Sequence, residues 1–142
     1  MRRLALAALT ALLVTVPVWA NIGRVKTLTG TSRIERAGQK FMPTPGFVME
    51  KGDLIVTPAK SMIGITFVDN ARIAIGPNSR VLIRAFEFND TTNHGTFVAE
   101  VQKGQVAVFG GLISKSDGKA MQIRTPKSVF AVRGSRIVVT VK

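Results

Sequence analysis

The chain has 142 residues, a formal net charge of +12 at pH 7 and no cysteine. Without cysteine the protein has neither disulfides nor thiolate chemistry, so its stability must come from packing. The length is sufficient for one compact domain with a single apolar core.

Residues 1–20 are typical of a secretory signal peptide. The basic pair Arg2-Arg3 precedes an apolar run of 15 residues, and the segment ends at Ala20 with the pattern of a cleavage site. The apolar run contains Pro17 and is shorter than the roughly 20 residues that a membrane span requires. We therefore expect cleavage after Ala20. Residues 21–142 are expected to form one exported domain in which no transmembrane segment remains.

Loss of the signal peptide removes Arg2 and Arg3 and lowers the formal charge from +12 to +10. Such a charge attracts anionic surfaces, such as phospholipid headgroups or cell-wall polymers, and salt weakens the attraction. Nucleic acid is not an expected partner, because the chain has no tyrosine and lacks the alternation of basic and aromatic residues found in stacking platforms. Solvated basic faces of a sheet are the simpler interpretation.

Short runs rich in β-branched and aromatic residues cover most of residues 21–142, and no run carries a helical apolar stripe. This pattern predicts an all-β fold, either a compact antiparallel sandwich or a rolled sheet of about ten short strands, with a β-solenoid-like roll as the alternative. The predicted strands are 22–28, 32–36, 54–57, 62–68, 72–75, 81–88, 96–102, 105–109, 120–124, 128–132 and 136–141.

Two hairpins are predicted from turn chemistry. Strands 63–68 and 72–75 flank Asp69-Asn70-Ala71, in which Asp and Asn can bond their own backbone and tolerate left-handed dihedral angles. In the second predicted hairpin, strands 98–102 and 105–109 flank Lys103-Gly104, where glycine can supply a positive φ.

Two segments share a pattern of Ile-x-Thr-Pro, then a serine, then an apolar strand. They are "IVTPAKSMIGITF" from Ile55 and "IRTPKSVFAVRG" from Ile123, and the second has one residue fewer between proline and serine. Proline removes a backbone donor and biases the preceding residue to extended geometry. Each Thr-Pro is therefore predicted to end a strand, giving two similar strand–bend–strand units.

The sequence offers little catalytic chemistry. Its one histidine, His94, lies in a polar stretch, and the eight acidic residues are spread singly without the spacing of a zinc or calcium site. Ser135, His94 and Asp69 could be combined as a hydrolytic set only because nothing else is available, and the nucleophile-elbow spacing is absent. We therefore predict no catalytic, cofactor-binding or metal-binding residue, and no enzyme activity.

Arg133 is the most unusual residue near the end of the chain. Strict alternation from Val129 to Val141 places Arg133 on the apolar face, where a charge needs a partner. A bulge at Gly134 would shift the register and let Arg133 bond backbone carbonyls or a carboxylate. Asp53 and Asp69 are the candidate carboxylates, and contact with a ligand is the alternative role.

Four segments resemble the FecR domain, the periplasmic module named after the iron-dicitrate regulator, and the first of them, "GRVKTLTGTSRIERAG" from Gly23, is similar to its opening strand pair. In "IRTPKSVFAVRGSRIVV" the match comprises Thr125, Pro126, Val132, Arg133 and Gly134, and Ser135 stands where threonine is usual. "KGDLIVTPAKS" is similar to the Gly-Asp-x-Ile-x-Thr turn of the family, with Gly52 and Asp53. "ITFVDNARIAIGPNSRVLI" is similar to its Phe-x-Asp-Gly stretch, with Asp69 in place and Asn70 replacing glycine.

This resemblance implies an all-β periplasmic domain without known catalysis. Full regulators of the family add an anti-sigma segment, a transmembrane helix and a region that contacts a TonB-dependent receptor. We expect this chain to be a stand-alone secreted member that binds an envelope or periplasmic protein in sensing or signalling, through exposed strand edges and a basic surface. The alternative is a structural adaptor on anionic cell-wall polymers or lipid. The sequence predicts neither the identity of the partner nor the oligomeric state.

Overall fold

A computed structural model describes residues 21–133 and 136–142 of the protein, and it confirms the all-β prediction. It contains the elements β1 (Gly23–Thr29), β2 (Arg33–Arg36), β3 (Gln39–Phe41), β4 (Val48–Met49), β5 (Leu54–Thr57), β6 (Met62–Phe67), β7 (Arg72–Ile75), β8 (Ser79–Phe88), β9 (Gly95–Phe109), α1 (Leu112–Ser116), β10 (Met121–Arg124), β11 (Val129–Ala131) and β12 (Arg136–Val141).

Hydrogen bonds join the strands into one curled sheet, the rolled form of the predicted fold, in the order β3-β2-β5-β8-β9-β7-β6-β1-β4. We call β4, β1, β6, β7, the end of β9 and β12 the front layer. The back layer comprises β3, β2, β5, β8, the start of β9, β10 and β11. Within the described residues the pairs are antiparallel, except that β10 runs parallel to β9.

Strand β9 takes part in both layers. Residues 95–103 pair with β8, and residues 104–109 pair with β12 and, from 106 onwards, with β7. The predicted hairpin at Lys103-Gly104 is therefore wrong, because the chain bends there without reversing. Gly104 has a φ of 95°, and a Cβ at this position would collide with Ser79. The positive φ of glycine serves a change of layer within one strand.

The hairpin at Asp69-Asn70 is confirmed. Strands β6 and β7 pair with Ile65 opposite Ile73, and Asn70 has the left-handed φ of 68° that the turn requires. Because alternate residues of each strand point to opposite faces, these isoleucines are buried while Arg72 is exposed.

The two Thr-Pro segments do not form similar units. The first carries the chain from β5 in the back layer to β6 in the front layer, and Thr57 Oγ1 donates to the carbonyl of Gly76 at 2.6 Å. The second closes the tight β10–β11 hairpin within the back layer, where the Thr125 N–H donates to the Ser128 carbonyl at 2.8 Å. The missing residue in the second segment permits this shorter turn.

The core lies between the two layers and contains a cluster of three aromatic rings. The ring centroid of Phe67 on β6 lies 4.5 Å from that of Phe97 on β9 and 5.6 Å from that of Phe86 on β8. Burial of each such side chain contributes roughly 1.5–3 kcal/mol. This packing holds the front layer against the back layer.

Candidate functional site

One side of the roll is closed by Arg36 at the end of β2. Its guanidinium donates to Asp53 Oδ1 at 2.7 Å and to Asp53 Oδ2 at 2.8 Å. The same group donates to the carbonyl of Val48 on β4 at 3.0 Å and lies 3.3 Å from a carboxylate oxygen of Glu50. Since β2 belongs to the back layer and β4 to the front layer, Arg36 ties the two layers together. We call this cluster the Arg36 seam.

Aromatic rings complete the Arg36 seam. The guanidinium carbon of Arg36 lies 5.4 Å from the ring centroid of Phe41 and 5.3 Å from that of Phe47, which is the geometry of cation–π contacts. Asp53 is fully buried and also accepts the N–H of Glu50 at 2.8 Å. The hydrogen bond with Asp53 raises the pKa of Arg36. The seam is therefore a fully paired structural cluster rather than an open site.

Asp69 joins the β6–β7 hairpin to α1. Its carboxylate accepts the N–H of Ala71 at 3.1 Å and that of Ile113 at 3.4 Å, and its carbonyl accepts the N–H of Leu112 at 2.8 Å. Burial raises the pKa of Asp69, because charging the carboxyl group costs more away from water. A Cβ at Gly111 would collide with Asp69, so glycine is required for this close approach.

Arg133 is not the inward-facing residue that strand alternation predicts. It lies exposed between β11 and β12, with its aliphatic part against Gly118, where an added Cβ would be 3.3 Å from Arg133 Cγ. Among the described residues, no carboxylate pairs with it. Asp53 pairs with Arg36 instead, and Asp69 is held by backbone N–H groups. The alternation fails because β11 ends at Ala131, before Arg133 is reached.

The remaining predicted motif residues lie at turns. Gly52 has a φ of 89° in an exposed turn just before Asp53. Thr125 and Pro126 form the turn between β10 and β11, where Thr125 Oγ1 accepts the N–H of Ser128 at 3.0 Å. Gly134 lies outside the described residues.

The other side of the roll is open, and a groove of about 810 Å³ runs along it. One wall is the β10–β11 turn with β11, and the other is β12. We call this the edge groove, and it is lined by Gln102, residues 125–131 and residues 137–142. Of the predicted motif residues, the structure brings Thr125 and Pro126 to this groove, while Gly52, Asp53, Asp69 and Arg133 lie elsewhere.

Both walls of the edge groove are strand edges. In the described part of the chain, β11 pairs with β10 alone and β12 pairs with β9 alone. Large apolar side chains on these strands are exposed: Val129 by 62%, Phe130 by 44% and Val138 by 49%. Sequence reasoning identified these strands but not the groove. The apolar run 128–132 was its only local signal.

Clusters typical of metal centres are not found in the described residues, which contain no group of three His, Cys, Asp or Glu side chains. His94 is exposed in the loop between β8 and β9. Within the same residues, no helix has the length and apolar character needed to cross a bilayer.

The comparisons with known proteins give one match. The family model described as FecR protein matches residues 53–142, which include Asp53, the bend in β9 and both walls of the edge groove. No curated protein and no solved structure matches the chain. FecR proteins are regulatory and signalling proteins associated with the cell envelope. Because the match covers well over half of the chain, the resemblance in the sequence motifs is confirmed, and the protein belongs to the FecR protein family.

Proposed function

We propose that the protein is a non-catalytic binding module of the cell envelope, which acts in sensing or signalling by holding an extended segment of a partner protein in the edge groove. The observation that carries this proposal is the placement of two strand edges, β11 and β12, on either side of one apolar groove. Membership of the FecR family supports a regulatory role in the envelope. The signal-like composition of residues 1–20 supports export to the periplasm.

The backbone of the groove walls can recognise an extended chain. A strand edge presents unpaired N–H and C=O groups, and a peptide can add to it as a further strand. Strand β12 has six residues and β11 has three, so β12 is the longer template. Main-chain hydrogen bonds of this kind supply affinity for many sequences, and the side chains of the groove must supply selectivity.

The side chains of the groove favour a segment with apolar and acidic residues. Val129, Phe130 and Val138 offer apolar surface, and the volume of about 810 Å³ lies within the range of about 300–1,000 Å³ that is usual for ligand pockets. Lys127 and Lys142 line the groove, whereas its described lining contains no Asp or Glu. A carboxylate on the bound segment would therefore meet a complementary charge.

Selection from a library of short linear peptides tests this function. Peptides that bind the purified protein are measured again with Val138→Ser in the edge groove. The matched control is Val68→Ser, because Val68 is similarly exposed, by 46%, and does not line the groove. We expect Val138→Ser to weaken binding at least tenfold and Val68→Ser to leave it unchanged.

Photocrosslinking in cells gives an independent measurement. A photoreactive residue at position 130 is expected to crosslink to a distinct envelope protein, and the same residue at position 68 is not. Equal crosslinking from both positions would argue against the groove as the binding site. Crosslinks from position 130 to a second copy of the chain alone would show self-association and overturn the proposal.

A further inference from the structure

The front layer carries cations without acidic neighbours. Its described strands contain Arg24, Lys26, Arg72 and Arg136 and no Asp or Glu. The back layer is different, because β2, β8 and the start of β9 carry Glu35, Glu87 and Glu100 among their basic residues. There, Arg33 pairs with Glu35 and Arg84 pairs with Glu100. The described front-layer strands thus carry four cations and no acid, whereas the back-layer strands carry seven cations and three acids, so only the back layer has acidic neighbours for some of its cations.

Strand register places three of these cations in one line. Arg24 lies opposite Thr66, which lies opposite Arg72, and Phe109 lies between Arg72 and Arg136. Residues directly opposite each other point to the same face of a sheet. We call these five residues the arginine row. At about 4.8 Å between strands, the arginines recur about every 10 Å along a line of about 19 Å.

Phe109 orients two of the guanidinium groups. The guanidinium carbon of Arg72 lies 5.0 Å from the ring centroid of Phe109, and that of Arg136 lies 5.7 Å from it. Neither arginine forms an ion pair among the described residues. Their N–H groups can therefore donate to an anion while the ring holds the planar groups in place. Both side chains are exposed, so an anion can reach them.

A shallow depression runs beside the arginine row. Gly64 lies opposite Ala74, and Ala74 lies opposite Ala107, so the neighbouring row has almost no side-chain bulk. The depression has a volume of about 360 Å³ and is lined in part by Lys26 and Arg72. Lys26 adds a further cation to its lining. A chain of atoms can lie across the strands in this depression with cations alongside it.

We propose that the arginine row binds a linear polyanion, a polymer with phosphate or carboxylate groups at intervals, which lies across the strands of the front layer. The charges form a line, and a single small anion would use only one member of it. A bilayer would favour cations spread over the whole face, but the neighbouring row carries the uncharged residues Gly64, Ala74, Ala107 and Val138. The site shares no residue with the edge groove and does not depend on it.

Binding of polyphosphate to the purified protein tests this proposal. We expect Arg72→Gln with Arg136→Gln to weaken binding at least tenfold and to reduce the slope of log K against log salt by roughly one to two. The matched control is Arg80→Gln with Arg124→Gln, which removes the same charge from exposed arginines of the back layer. That control is expected to change binding less than threefold. Equal weakening by both pairs would indicate diffuse attraction and overturn the proposal.

Additional ligands identify the chemistry that the row binds, and an additional variant controls for a folding defect. Polyglutamate replaces phosphate with carboxylate, and binding of either polymer through the row supports the proposal. Inorganic phosphate is expected not to compete, because it spans only one arginine. Binding to anionic vesicles with no binding to either soluble polymer would overturn the linear-polymer assignment. If the double variant fails to fold, Arg24→Gln tests the other end of the arginine row, because Arg24 does not contact Phe109. An unchanged affinity of Arg24→Gln for polyphosphate would then count against the proposal.

Discussion

Arg36 binds both carboxylate oxygens of Asp53, which is fully buried, and it also donates to the Val48 carbonyl on β4, so it joins the back layer to the front layer at the Arg36 seam. Removing one partner of a buried ion pair leaves the other charge without compensation. We therefore expect Arg36→Met to lower the free energy of unfolding by about 3–5 kcal/mol. Denaturant titration measures this change. Arg33→Met is the control, because its pair with Glu35 is exposed to solvent and is expected to contribute far less to stability.

Substitution of Arg133, unlike that of Arg36, is expected to leave stability almost unchanged. Because it is exposed and pairs with no carboxylate among the described residues, Arg133→Met should change the free energy of unfolding by less than about 0.5 kcal/mol. The same denaturant titration, carried out beside Arg36→Met, compares the two arginines directly. A loss for Arg133→Met as large as that for Arg36→Met would contradict the exposed position.

The pKa of Asp69 predicts a pH dependence of stability. Burial raises it above the ordinary value of 3.8, so the folded state binds the proton more tightly than the unfolded state does. The resulting stabilisation is present below pH 3.8 and is lost as pH rises through the raised pKa.

Comparison with Asp69→Asn isolates this contribution. The pKa values of Glu35 and Glu100 are lowered by hydrogen bonds from Arg33 and Arg84, so these groups act in the opposite direction in both proteins. Unfolding at a series of pH values is therefore expected to show the natural protein losing stability relative to Asp69→Asn as pH rises above 3.8. A difference that does not vary with pH would rule out a raised pKa.

Gly104 should be more sensitive to substitution by alanine than Gly38, which also has a positive φ. Gly104→Ala adds the strain of a left-handed side chain and a collision with Ser79. Gly38→Ala adds the strain alone, because no atom lies within 4 Å of its added Cβ. We expect Gly38→Ala to lower the free energy of unfolding by about 1–2 kcal/mol and Gly104→Ala to lower it further, as measured by thermal unfolding. Equal losses would mean that the bend in β9 yields to a methyl group.

The sequence predicted the features that depend on neighbouring residues. Period-2 alternation identified most strands, and Asp69-Asn70 correctly predicted a hairpin because the turn is set by its own dihedral angles. Lys103-Gly104 gave a wrong prediction of a hairpin, because a positive φ is compatible both with a chain reversal and with a bend within one strand. The outcome is decided by Ser79 and by the pairing of β9 with β7, β8 and β12, which the residues around Lys103-Gly104 do not specify. Helix α1 was missed because its five residues are too few to show a period.

The candidate site could not be predicted from local sequence patterns, because it is formed by contacts between residues far apart in the chain. Asp53 was named as a candidate partner of Arg133, but it pairs with Arg36, 17 residues earlier, and nothing in the spacing distinguishes Arg36 from the other arginines. The edge groove exists because β11 and β12 each pair on one side in the described structure. The arginine row likewise follows from the register of five strands.

Strand β9 passes through both layers, and this affects how the protein unfolds. Layers joined by side-chain packing alone can separate while each keeps its own hydrogen bonds. Here the two halves of one strand carry ladders in both layers, so unfolding of β9 removes hydrogen bonds from both layers at once. We therefore expect the two layers to melt in one cooperative transition, with the slowest amide exchange at the centre of β9.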